Sequence, residues 1–129
     1  MSVKTIMTAD ESGAELVQFA RETAIRLVKD SLTRSQIRNI FTEVRQIEAL
    51  WSTNKSDALR RLNMLKPKMA YQTARAAQVK HLADVLGEAI TEVELASKGS
   101  EDKMDQAFKR FMDLFEAILA YHRAEGGRN

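Results

Sequence analysis

The chain has 129 residues, with no cysteine, one proline, five glycines and two histidines. That length is one domain's worth of protein, and the missing cysteines exclude a disulfide framework, cysteine-ligated zinc, iron–sulfur clusters and thiol catalysis. The net charge of +2 is distributed unevenly, at −1 over residues 1–28, +7 over 29–80 and −4 over 81–129, an asymmetry that suggests a polyanionic partner for the middle of the chain.

Residues 1–11 read as a loose polar tail, without the apolar run of a signal peptide. No stretch approaches ~18 consecutive apolar residues, so the expected location is the cytoplasm, with no membrane contact. The first helix is expected from Ser12 or Gly13 to Lys29, because Leu16, Phe19, Ala20, Thr23, Ala24, Leu27 and Val28 recur three and four apart. Thr33 followed by Gln36 fits a capping box at the start of a helix whose stripe is Ile37, Ile40, Phe41, Val44, Ile47 and Trp51. Arg34, Arg38 and Arg45 fall on another face of it.

Ser56 or Asp57 is expected to cap a third helix through Leu59, Leu62 and Leu65. Pro67 donates no amide hydrogen and disfavours helical geometry at Lys66, so a break or kink is expected there, with helix resuming at Pro67. A further stripe runs from Val79 through Leu82, Leu86, Ala89, Ile90 and Val93, and ends near Gly99. Ser100 opens the last helix, carrying Phe108, Phe111, Met112, Phe115, Ile118, Leu119 and His122, before Gly126 and Gly127 and a short tail over 126–129. The reading is an all-α single domain over 1–129: a bundle of about five antiparallel helices, one broken near Pro67.

Catalytic and metal motifs are scarce. Glu88 and Glu92 stand four apart, but the Glu-x-x-His pattern of a di-iron bundle is missing, so a solvated acidic face is the better reading. His122 continues an apolar stripe and reads as a satisfied core or rim histidine, and Phe108, Phe111 and Phe115 read as core filling. The expectation is a non-enzyme without cofactor or metal. Lys55, Arg60, Arg61, Lys66, Lys68, Arg75 and Lys80 crowd residues 55–80 against Asp57 alone. Singly, each is an ordinary solvated side chain; as a set, they suit neutralisation of a nucleic-acid backbone. Tyr71 within the set has two readings, stacking on a base or ribose or packing on the helix with its hydroxyl in water.

Three stretches resemble one family. They are Leu32-Thr-Arg-Ser-Gln-Ile-Arg-Asn-Ile-Phe41, Leu65-Lys-Pro-Lys-Met-Ala-Tyr-Gln-Thr-Ala-Arg75 and Phe111-Met-Asp-Leu-Phe-Glu-Ala-Ile-Leu-Ala-Tyr-His-Arg-Ala124. In order and content they resemble the small subunit of the type III-A CRISPR effector complex, the small helical protein of the Csm family. The resemblance implies an all-helical subunit without a nuclease site, stacked in several copies and in contact with the other Csm subunits. It also implies binding to the backbone of guide RNA paired to target RNA. On the family's motifs lie Arg38, Lys66, Lys68 and Arg75, the first choices for RNA contact; Arg34, Arg60 and Arg61 lie beside them. The competing reading is a helical protein-interaction adaptor with no nucleic-acid role, favoured by the near-neutral total charge and the acidic C-terminal half.

Overall fold

The structure is a computed structural model that describes residues 2–129. It consists of α1 (Val3–Thr8), α2 (Ala14–Lys29), α3 (Arg34–Trp51), α4 (Lys55–Arg75), α5 (Lys80–Ser97) and α6 (Glu101–Ala124), with one 3₁₀ turn at Ala77–Val79. No strand occurs among the described residues, and one apolar cluster draws side chains from all six helices.

The expected loose tail over 1–11 is instead α1, six residues long. Ser2 caps it by accepting from the Thr5 amide at 3.2 Å. Its Val3, Ile6 and Met7 are buried, and Arg110 of α6 donates to the Ile6 carbonyl at 3.1 Å. So short a helix has no independent stability; burial of three side chains against α5 and α6 holds it in place. Asp10 then serves α2 from outside the helix, accepting from the amides of Glu15 and Leu16 at 3.3 and 2.8 Å, because Gly13 at the N-cap has no side chain to do so.

α3 starts with the expected capping box: Thr33 Oγ1 accepts from the Gln36 amide and Gln36 Oε1 accepts from the Thr33 amide. Its apolar stripe ends in Trp51, whose ring stacks on Phe108 of α6 at 3.9 Å between centroids. The indole N–H donates to Asp105 at 2.9 Å, and Lys55 donates to the same carboxylate at 2.9 Å. These two donors hold the Asp105 carboxyl below its ordinary pKa, the Lys55 hydrogen bond contributing most.

Asn54, rather than Ser56 or Asp57, caps α4, accepting from the Asp57 amide at 3.1 Å. The expected break at Pro67 is absent, and α4 runs through it for 21 residues. An interior proline costs about 3 kcal/mol relative to alanine. Leu62, Leu65 and Met69 beside it are fully buried, and burying side chains of this kind stabilises by roughly 1.5–3 kcal/mol each. Pro67 itself lies on the exposed face, where the carbonyl it leaves unbonded is nearest to water. The helix stops instead at Ala76, which is extended at φ −144° and ψ 99°. This break has no glycine or proline; it turns the chain so that Val79 is buried and α5 returns antiparallel to α4.

The C-terminal segment is also more ordered than a free tail. His122, 1% exposed, meets the Leu32 carbonyl through Nε2 at 2.8 Å. Gly126, at φ +97°, reverses the chain, and the Gly127 amide donates to the His122 carbonyl at 2.8 Å. A Cβ on Gly127 would collide with the His122 ring and lie 2.7 Å from its carbonyl oxygen. The Arg128 carbonyl then accepts from the Arg34 amide at 2.6 Å. The C-terminus of α6 therefore abuts the N-terminus of α3, and Trp51–Asp105 joins their other ends, so the two helices are antiparallel.

Candidate nucleic-acid interface

The eight residues singled out from the sequence divide over four surfaces, with Arg61 beside Lys68 at Glu43. Arg34 and Arg38 line a groove of about 390 Å³ between α3 and α6, with Arg45, Arg123 and the single acid Glu116. Lys68, Tyr71 and Arg75 line a larger groove of about 840 Å³ between α3 and α4, with Gln36, Asn39 and Gln72. Lys66 faces the other way. It lies between α4 and α5 and donates to Thr91 Oγ1, so the structure separates it from Lys68 although the two are only two residues apart. Arg60 is exposed on the outer side of α4.

The 55–80 cluster is not free of counter-charge, as a count within the segment suggests. Glu43 of α3, half-buried, accepts from Lys68 and from Arg61, the latter at 3.0 Å. Lys55 pairs with Asp105 and Glu101, and Lys80 with Asp84 at 2.9 Å. The Glu43 carboxyl is held below its ordinary pKa, chiefly by the Lys68 hydrogen bond and against the opposing effect of burial. Outside the cluster, Arg45 is engaged by Glu48 at 3.0 Å and Glu116 at 3.3 Å, and its guanidinium lies 5.6 Å from the Phe41 ring centre.

Among the described residues, Arg34, Arg38, Arg60, Lys66 and Arg75 have no acidic partner within 4.0 Å. Three of these, Arg34, Arg38 and Arg75, surround the N-terminal half of α3. That half carries no acid before Glu43, and its exposed ridge of Ser35, Arg38, Asn39 and Thr42 separates the two grooves. Arg34 also has a buried Nε without a hydrogen-bond partner. Arg45 and Arg123 join this surface, although neither is among the residues singled out from the sequence. Arg45 shares the Arg34 and Arg38 face by its spacing, but nothing local connects Arg123 with it.

Among the described residues, no group of three or more histidine, aspartate or glutamate side chains stands close enough to hold a metal ion. Among the described residues, no helix is long and apolar enough to cross a membrane. Fold and surface together define a small helical-bundle protein with a basic ridge bordered by two grooves. Residues 10–128 match the family described as Csm2 Type III-A, and the chain belongs to that family. It is thus a small subunit of the type III-A CRISPR complex, which comprises further Csm subunits. Comparison with curated proteins and with solved structures gave no match.

Proposed function

We propose that this subunit is a non-catalytic, cytoplasmic RNA-binding component, holding the backbone of guide and target RNA across the N-terminal half of α3 and stacking against sister copies. The observation that carries the reading is the set of unpaired cations, Arg38 on an acid-free ridge and Arg34 and Arg75 beside it. Guanidinium groups suit phosphate because they present several donors in a planar fork. Backbone contacts of this kind position an RNA without reading its sequence. That suits a subunit whose guide varies while the protein does not.

Arg38 and Arg75 thereby become the central contacts and Arg34 a supporting one. Lys68 and Arg61 stand in reserve behind Glu43, and Lys66 lies outside the interface. The test is an anisotropy titration with labelled single-stranded RNA over a series of salt concentrations. Arg38→Ala with Arg75→Ala is expected to reduce the magnitude of the log K against log salt slope by about 1.4, at ~0.7 for each phosphate no longer neutralised. Lys66→Ala is expected to leave the slope unchanged. A slope unaltered by the arginine pair would overturn the reading and favour an adaptor that binds only protein.

A further inference from the structure

The larger groove has features that a phosphate track does not require. Its volume of about 840 Å³ falls in the ~300–1,000 Å³ range of small-molecule sites. Tyr71 stands at its edge with 64% of its surface exposed, although large aromatic side chains ordinarily bury their rings. The Arg75 guanidinium lies 5.8 Å from the centre of that ring, which supports it from one side. Gln72, also lining the groove, has its Oε1 out of solvent and without a hydrogen-bond partner. Asn39 lines the opposite wall on α3, and neither it nor Tyr71 makes a side-chain hydrogen bond to another described residue.

We propose that this groove takes up a single unpaired nucleobase of the RNA strand, stacked on Tyr71 with its Watson–Crick edge toward the exposed side-chain amide of Asn39. The inference rests on the RNA-binding reading above and narrows it to a form of RNA. Each of the four bases offers at least one N–H on its Watson–Crick edge, so one acceptor serves all of them. An aromatic face is equally tolerant, because every base has a π-face. In a duplex that edge is already engaged, so the groove selects a single-stranded or extruded nucleotide. Arg75 at the rim is placed to meet a flanking phosphate.

The test uses the purified full chain with a labelled single-stranded RNA and with the same sequence annealed to its complement. Tyr71→Ala is expected to weaken single-strand binding by about 5- to 150-fold, the range for removal of one base stack, and to leave duplex binding unchanged. Tyr71→Phe is expected to bind as the unaltered protein does. Equal losses on both RNAs, no loss on either, or a Phe variant as weak as the Ala variant would each overturn the proposal. So would Tyr71 variants that fail to join the other Csm subunits while binding RNA normally, since the groove then holds a protein segment. If the unaltered protein binds neither RNA, the RNA-binding reading falls and this proposal with it. If it binds both and Tyr71→Ala changes nothing, only the groove assignment falls.

Discussion

Glu43 offers the sharpest test of how the basic surface works. Its carboxylate accepts from both Lys68 and Arg61, so two cations at the edge of the α3/α4 groove are neutralised within the protein. Glu43→Gln removes one negative charge and both ion pairs. Lys68 and Arg61 are 57% and 41% exposed, and exposed pairs contribute about 0.2–1 kcal/mol each, so the loss of stability is expected to stay below about 2 kcal/mol. Because the carboxyl pKa is depressed, that contribution is fully present at neutral pH and is lost only as acid protonates Glu43 in the folded state. The gain appears in RNA binding. Two released cations at ~0.7 each steepen the salt slope by about 1.4, which makes affinity fall an extra sevenfold or so between 50 and 200 mM salt. Anisotropy titrations at four salt concentrations measure this directly, with Asp84→Asn as control, because it frees only Lys80 on α5. A Glu43→Gln slope parallel to that of the unaltered chain would refute the idea that these cations are held in reserve for phosphate.

Two further outcomes concern the scaffold. Trp51→Phe keeps an aromatic ring against Phe108 but removes the indole donor to Asp105; urea denaturation should show a loss of about 1–2 kcal/mol, and an unchanged midpoint would mean that the hydrogen bond contributes nothing. Pro67→Ala restores a donor on the exposed face of a continuous helix, so the midpoint should rise by an amount equivalent to about 1–3 kcal/mol. A fall would mean that α4 depends on the proline ring, which lines the α3/α4 groove.

What could be read from the sequence was whatever a few neighbouring residues decide. The Thr33–Gln36 box and the Ser100 cap lie within one turn of the helices they start, and the stripes from Ile37 to Trp51 and from Phe108 to His122 do face the core. The departures came from contacts across the bundle. α1 has an apolar triplet at Val3, Ile6 and Met7, but six residues become a helix only when α5 and α6 cover them. Pro67 obeys its local rule less than it obeys the burial of its neighbours. Ala76 ends a helix among good helix formers because the chain must reverse there. The site followed the same division. Arg38 and Arg75, the contacts proposed above, are marked in the sequence by charge and motif together, whereas the neutralisation of Lys68 and Arg61 comes from a glutamate 25 and 18 residues away. Two residues on one helix, Lys66 and Lys68, point to different partners for a reason that only the placement of α5 reveals.

The ties between α3 and α6 have a consequence for assembly. Trp51 with Asp105 secures one end, Arg45 with Glu116 the middle, and Leu32 with His122 together with Arg34 and Arg128 the other. One helix cannot slide along the other by a single residue without breaking all of these at once. The helices therefore act as a rule whose graduations are set when the chain folds. The interval from the arginines of α3 to Arg123 on α6 is fixed before any partner arrives, so little ordering is left to oppose association. On the proposed reading, an RNA strand laid across this surface conforms to that interval.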